Sequence, residues 1–211
     1  MLRILLVGHS PAVIKGLSLI LNESDLSSCR LEIASTTDEA ITKVTEQEFN
    51  LLVLDLEMKD TNTLGFIVKA KQLRPALSIL TYSVKMEYIF IKRYLTSGAR
   101  GYCFLNQNNY QEIIEAIYKV ASGKIYISPA MVELIVSEAL YSQKTDRLNT
   151  LDDREFEVLT HLLRGESPAA IAQIFSVHTT TIVLYQSRIL DKLRIRDVSE
   201  LSDITRMQSV L

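Results

Sequence analysis

Five short apolar runs alternate with helical patterns through the first part of the chain. The runs lie at Ile4–Val7, Leu31–Ala34, Leu51–Leu54, Ser78–Thr81 and Gly101–Phe104. Continuous apolar runs of this length are typical of strands that are buried on both faces, as in a parallel sheet. The stretches between them have one apolar face at helical spacing, so the pattern predicts five strand–helix units in a doubly wound α/β domain with right-handed crossovers. Ligands of such sheets bind at the carboxyl ends of the strands.

The last part of the chain contains only helical patterns. Four helices are predicted, over about 152–164, 168–174, 179–193 and 198–207. The segment Asp152–Glu155 has the sequence of a capping box and opens the first of them. A tight turn at Ser176–His178 joins the second to the third. Two helices joined by such a turn inside a compact four-helix unit form a helix-turn-helix arrangement.

Charge and composition restrict the expected cellular location of the protein and the classes of molecule that it binds. The formal net charge of the 211 residues is −2, which argues against a general polyanion binder. No run approaches the roughly 18 apolar residues that a membrane-spanning helix needs. The two cysteines, Cys29 and Cys103, lie far apart in apolar settings and are expected to be free thiols in a reducing cytosol. We therefore expect a cytoplasmic protein with no membrane contact and no metal site of the zinc type.

Sequence blocks in both parts of the chain match those of one known family. The blocks are LLVLDLEM at 51–58, GARGY at 98–102, LDDREFEVL at 151–159 and ILDKL at 189–193. With these motifs the whole chain resembles response regulators of the NarL/FixJ type, the DNA-binding transcription regulators of two-component systems. The resemblance implies a flavodoxin-like, CheY-like (βα)5 receiver followed by an all-α LuxR-type helix-turn-helix domain of four helices. The expected segments are a receiver-like domain over 1–124, a linker helix over 125–147 and the DNA-binding domain over 148–211.

The same resemblance assigns a phosphorylation site, in which this sequence departs from the family. Asp55 stands in the position of the phosphoacceptor. Gly8 and His9 stand where two acidic residues hold Mg²⁺, and Leu105 stands where a Lys pairs with the phosphoryl group. Phosphoryl transfer depends on such charge stabilisation, and each missing group is typically worth a few kcal/mol in the transition state. We therefore expect an atypical receiver without a cofactor, in which Mg²⁺ binding and phosphorylation of Asp55 are weak or absent.

Alternatives remain open for the individual residues of this site. Asp55 can be phosphorylated despite these losses, as in the ordinary mechanism of the family. It can also be retained for a structural contact such as a hydrogen bond to His9, whose charge would make the domain sensitive to pH. Thr81 and Tyr102 stand in the positions of the switch hydroxyl and the switch aromatic residue, although both residue types also simply favour strands.

By the resemblance, the third C-terminal helix enters the major groove of double-stranded DNA. The candidate DNA-binding residues are Thr179, Thr180, Thr181, Val183, Leu184, Ser187, Arg188 and Lys192. The threonines bring hydroxyl and backbone N–H groups to a helix N-terminus, which suits a phosphate. The stretch 188–196 holds four cations against one acid, which is the charge pattern of a DNA contact. Val183 stands where the family has a Lys, so Val183 and Leu184 either contact thymine methyl groups or form a protein-binding surface.

Two copies of the chain are expected to act together. One module of this kind buries little surface, and two modules on a palindromic site multiply the affinity. The candidate dimerisation residues are Val198 and Leu201, and the linker helix and the fourth and fifth receiver helices are further candidate surfaces.

The remaining expectations concern activity, regulation and partners. No catalytic constellation is visible, so the chain is not expected to be an enzyme. Regulation is expected to come from abundance, a ligand in the altered pocket or a partner protein, and a partner regulator or a histidine kinase is a candidate partner. The alternative function is a protein-binding adaptor that has lost DNA recognition.

Overall fold

The first part of the chain alternates strands and helices, as the apolar runs predict. The computed structural model describes residues 1–24, 28–58, 62–84, 91–105, 111–141, 145–197 and 199–200. The strands are β1 (Arg3–Val7), β2 (Arg30–Ala34), β3 (Leu51–Asp55), β4 (Ser78–Ser83), β5 (Gly101–Phe104) and β6 (Tyr126–Ile127). The helices are α1 (Pro11–Glu23), α2 (Thr37–Glu46), α3 (Thr63–Leu73), α4 (Ile91–Thr96), α5 (Gln111–Ala121) and α6 (Pro129–Tyr141).

All of the strand pairings are parallel, and the strands lie in the order β2-β1-β3-β4-β5-β6. The predicted doubly wound α/β fold is therefore confirmed. β6 is an addition to the five predicted strands, since Tyr126 and Ile127 pair with Gly101 and Tyr102 of β5. A strand of two residues is too short to give an apolar run that sequence reasoning could detect.

Local sequence explains where the receiver helices begin. Pro11 occupies the first turn of α1, where its missing N–H costs no helical hydrogen bond. The side chain of Thr36 accepts a hydrogen bond from the backbone N–H of Glu39 at the start of α2, and Asn62 caps α3 in the same way. These caps fix the point at which each chain segment turns from the sheet edge into its helix.

One face of the sheet packs against α1 and α5, and that face leads to the site. Side chains alternate along a strand, so Leu51, Val53 and Asp55 point to the same side. Leu51 and Val53 lie in an apolar cluster with buried residues of both helices, namely Ile14, Leu17, Leu21, Ile113, Ala116, Ile117 and Val120. Asp55 therefore stands at the carboxyl edge of this core rather than among loops.

The second part of the chain is helical. Its described helices are α7 (Thr145–Leu148), α8 (Asp153–Leu163), α9 (Pro168–Ile174) and α10 (Thr179–Leu193). The predicted capping box of α8 is confirmed, because Asp152 and Glu155 each accept a hydrogen bond from the backbone N–H of the other. α7 is an addition, because the polar stretch 142–150 has no helical periodicity and predicts a linker there. The predicted fourth helix, over 198–207, lies almost entirely outside the described residues.

Contacts divide the chain into two units, Met1–Leu134 and Ile135–Leu211. The division falls inside the segment predicted to be a linker helix, and the domain boundaries predicted from the sequence stay a prediction. None of the described helices is long and apolar enough to cross a membrane.

Candidate functional sites

Asp55 ends β3 and is almost completely buried, with 3% of its surface exposed. The backbone N–H of Glu57 donates a hydrogen bond of 2.8 Å to its Oδ1. Glu57 in turn accepts a hydrogen bond of 2.9 Å from the hydroxyl of Ser83, the last residue of β4. Sequence reasoning missed both Glu57 and Ser83, although each is a polar residue at or just beyond the end of a strand.

His9 lies beside Asp55 but is not hydrogen-bonded to it. The distance from Nδ1 of His9 to Oδ2 of Asp55 is 3.9 Å, and the His9 side chain is 41% exposed. This distance permits an ion pair when the imidazole is protonated, and it exceeds the length of a hydrogen bond. The hydrogen bond that the sequence analysis offers as an alternative is therefore absent at this distance, and the two residues make only an electrostatic contact.

Tyr82 fills the space between Asp55 and Gly8, and sequence reasoning did not foresee it. Tyr82 is the register partner of Asp55 on β4 and is 1% exposed. A Cβ added to Gly8 would lie 3.1 Å from the Tyr82 hydroxyl oxygen, 3.1 Å from Cδ1 of Ile14 and 3.3 Å from Cβ of Asp55. We call the space bounded by Gly8, His9, Asp55 and Tyr82 the Asp55 hollow. A side chain at position 8 would therefore be crowded from its first atom, and its neighbours, the Tyr82 hydroxyl among them, would have to shift to admit it.

Burial controls the ionisation of both polar groups in the Asp55 hollow. Desolvation raises the pKa of Asp55, and the hydrogen bond from Glu57 and the nearby charge of His9 only partly oppose this effect. The pKa of Tyr82 is raised by burial and by the adjacent carboxylate. Among the described residues, the Tyr82 hydroxyl has no hydrogen bond of ordinary geometry, although it lies close enough to Asp55 for the two groups to influence each other.

The Asp55 hollow does not fit Mg²⁺, the ion that the fold family implies. Mg²⁺ requires near-octahedral coordination by oxygen ligands and keeps several waters. The hollow supplies one carboxylate whose charged form is disfavoured by burial, a glycine without a side chain, and an imidazole nitrogen that suits other metals better. Within the described ranges, no group of three or more His, Cys, Asp or Glu side chains could hold a metal ion.

The lysine position and the two switch positions of the receiver are all buried or partly buried. Leu105 is partly buried and packs against the core that α1 and α5 cover. Thr81 is fully buried, and its hydroxyl donates a hydrogen bond of 2.9 Å to the carbonyl of Gly101 on β5. Tyr102 is also fully buried. Because Tyr82 shares its face with Asp55, Thr81 points to the opposite face of the sheet. Ser83, at the end of β4, reaches the Asp55 carboxylate only indirectly, through its hydrogen bond to Glu57.

Six of the predicted DNA-binding residues share the exposed side of α10. They are Thr179, Thr180, Val183, Leu184, Ser187 and Arg188, and we call this surface the α10 face. Their spacing of three and four residues places them on one side of a helix. Thr181 is only partly exposed. The buried side of α10 is formed by Ile182, Ile189 and Leu193, so the α10 face is not needed for packing within the described unit.

Lys192 stands apart from the other predicted DNA-binding residues. Its ammonium group lies 2.6 Å from Oε2 of Glu155, which is 2% exposed, and 3.2 Å from the carbonyl oxygen of Thr150. Glu155 is also the capping-box residue of α8, so this ion pair ties the end of α10 to the start of α8. Lys192 is therefore already paired within the unit, and its contact with DNA stays a prediction.

The end of α10 carries the remaining cations. Arg194 follows α10 in the left-handed region with φ 55°, a conformation that usually favours glycine. Arg194 and Arg196 are both exposed. The predicted dimerisation residues Val198 and Leu201 lie outside the described residues.

Comparison with known proteins agrees with both parts of this description. Residues 4–118 match the response regulator receiver domain family, and residues 149–205 match the bacterial regulatory proteins of the luxR family. The chain is 27% identical over 220 residues to the oxygen regulatory protein NreC of Staphylococcus carnosus, covering 100% of this chain and 99% of that protein. It is 24% identical over 185 residues to the fimbriae Z protein of Escherichia coli, covering 86% of this chain and 87% of that protein.

A solved structure shows the same fold at lower identity. RcsB from Salmonella enterica serovar Typhimurium, bound to the promoter rprA in the presence of the phosphomimetic BeF3−, has a TM-score of 0.74 and 18% identity and covers 100% of both chains. The receiver match alone spans more than half of the chain, and the luxR-family match follows it in the order that the sequence predicts. The chain therefore belongs to the response regulators of the NarL/FixJ type, a family of DNA-binding transcription regulators that join a receiver domain to a LuxR-type helix-turn-helix domain.

Proposed function

We propose that this protein is a sequence-specific transcription regulator that acts as a cytoplasmic dimer and does not depend on phosphorylation of Asp55. Family membership supports the regulatory role, and the composition of the Asp55 hollow supports the independence from phosphorylation. The activity of the protein would then be regulated by its abundance, by a ligand of the receiver or by a partner protein such as another regulator. In this proposal Thr81 and Tyr102 contribute packing rather than signalling.

The observation that carries the proposal is the position of the Tyr82 hydroxyl. A metal ion held by two acids, together with a lysine, normally neutralises the negative charge that develops during phosphoryl transfer. Here Gly8, His9 and Leu105 supply none of that machinery, and the Tyr82 hydroxyl crowds the position of a Cβ at residue 8, where an acid would begin. Burial also disfavours the charged form of Asp55, which is the form that would accept a phosphoryl group.

Phosphorylation is tested by incubating the full chain with acetyl phosphate and Mg²⁺ and measuring its intact mass. We expect no gain of a phosphoryl group in the wild-type protein. The single variant Gly8→Asp should also stay unmodified, because its new side chain meets Tyr82. The combined variant Gly8→Asp, His9→Asp, Leu105→Lys and Tyr82→Ala restores the missing charges and opens the space, so it should gain one group. A wild-type gain that Asp55→Asn removes would restore the ordinary mechanism of the family.

A second candidate function is supported by the apolar part of the α10 face. Val183 and Leu184 are 50% and 60% exposed, and apolar residues at this exposure also suit a protein partner. A protein-binding adaptor would show no binding to duplex DNA even at low salt, where phosphate contacts are strongest. Arg188, Arg194 and Arg196 beside this surface favour the DNA-binding function.

A further inference from the structure

α10 exposes an apolar pair that its own unit does not use. Val183 is 50% exposed and Leu184 is 60% exposed, whereas Ile182, which precedes them in the chain, is fully buried. Covering this exposed apolar surface with a partner is favourable, because it removes the surface from water. The pair lies on the α10 face, so any molecule that binds this face also covers Val183 and Leu184.

The surroundings of the pair define what it can recognise. Thr179, Thr180 and Ser187 are uncharged, so the first formal charge on the α10 face is Arg188. Arg194 and Arg196 follow after the helix. Lys192, the other cation of this stretch, is held by Glu155. The cations therefore lie toward the C-terminal end of α10, where they suit phosphates, and the apolar pair occupies the middle of the face.

Only one group on the major-groove edges of DNA matches such a pair. Guanine, cytosine and adenine present hydrogen-bond donors and acceptors there, while thymine adds a 5-methyl group. If valine and leucine packed against these base donors and acceptors, the base groups would lose their hydrogen bonds to water and form none with the protein. Leaving polar groups unpaired in this way is unfavourable. Contact with thymine methyl groups buries apolar surface on both sides.

We propose that Val183 and Leu184 read the 5-methyl groups of thymine, so that each half-site is selected for A·T pairs opposite the middle of α10. This inference rests on the proposed DNA-binding function of the protein. It explains how a helix whose exposed cations are Arg188 and the Glu155-paired Lys192, with the acid Asp191 between them, can still select a sequence. Selection then comes from apolar contact and from the exclusion of polar base edges.

The test uses duplexes enriched by the full chain from a pool of randomised sequence. The enriched duplexes are made again with deoxyuridine in place of thymidine, which keeps base pairing and removes only the methyl groups. A buried methyl group is worth about 0.8 kcal/mol, or about a fourfold change in Kd. We expect deoxyuridine to weaken binding about fourfold for each methyl contacted, hence roughly 16-fold for two.

Variants assign the effect to the pair. In Val183→Ala combined with Leu184→Ala, thymidine and deoxyuridine duplexes should bind equally. Val68→Ala, which alters a 39% exposed valine on α3, should keep the full difference. Circular dichroism checks that each variant is folded, which is expected because the changed residues are exposed.

The possible failures separate the two proposals. If no duplex is enriched and binding is undetectable at low salt, the DNA-binding function itself is wrong and a protein partner becomes the occupant of the α10 face. If duplexes are bound but deoxyuridine has no effect, the inference is wrong and DNA binding stands. If the alanine variant keeps the difference, the methyl groups act through DNA shape, and the assignment to Val183 and Leu184 is overturned.

Discussion

At the scale of single residues, Asp55 is held in a place that disfavours its charge. Desolvation raises the pKa of Asp55 above its ordinary value of 3.8. A carboxyl group with a raised pKa in the folded state lowers stability once the pH exceeds that ordinary value, because the folded protein holds the proton more tightly than the unfolded chain. We expect Asp55→Asn to raise the thermal unfolding temperature of the receiver unit at neutral pH.

The pH dependence of the stability gained by Asp55→Asn tests whether the charge of Asp55 causes it. Below pH 3.8 the aspartate is largely protonated in both states, so the difference between Asp55→Asn and the wild type should shrink. Asp191→Asn, which alters an exposed carboxylate on α10, should change stability little at either pH. A wild-type receiver that is more stable than Asp55→Asn at neutral pH would show that the contacts with Glu57 and His9 outweigh desolvation.

At the scale of elements, the ion pair between Lys192 and Glu155 joins two helices. Replacing Lys192 by Met would leave the Glu155 carboxylate buried without its cation. Breaking a buried pair costs about 3–5 kcal/mol, and the 38% exposure of the Lys192 side chain reduces the expected loss to about 2–3 kcal/mol. Urea unfolding followed by circular dichroism should show this loss in the helical C-terminal unit.

Two matched variants test that explanation. Glu155→Gln added to Lys192→Met removes the stranded charge and still allows a capping box, so it should recover most of the lost stability. Arg188→Met removes an exposed cation of the α10 face and should weaken DNA binding with little effect on unfolding. If Lys192→Met weakens DNA binding and leaves unfolding unchanged, Lys192 contacts DNA as the sequence predicts.

The elements themselves could be predicted from the sequence because their signals are local. Four-residue apolar runs identify the strands of the parallel sheet, and the capping box of α8 is visible in four adjacent residues. The partner of Lys192 is not visible in this way, since Glu155 lies 37 residues away. Tyr82 was missed for a related reason: its position over Asp55 depends on the register of β3 and β4, which periodicity does not specify.

At the scale of the whole molecule, a net charge of −2 gives little general attraction to DNA. In the proposed dimer, affinity for DNA then depends on a few local cations and on the joint binding of two copies. Among the described residues at and beyond the C-terminal half of α10, Arg188, Arg194 and Arg196 of each copy would provide six phosphate contacts in the proposed dimer. Counterion release therefore predicts a slope of log K against log salt no steeper than about −5 for a dimer.

The spacing of half-sites tests whether two copies act together. In a two-fold dimer the two recognition helices reach half-sites about one helical turn, or 10–10.5 base pairs, apart. Inserting about 5 base pairs between the half-sites of an enriched duplex turns them to opposite faces of the DNA, so we expect affinity to fall at least tenfold in a gel-shift titration. A change of sequence at the same place without insertion should have a smaller effect. If the inserted duplex binds as tightly as the original, each copy binds independently and the dimer proposal is wrong.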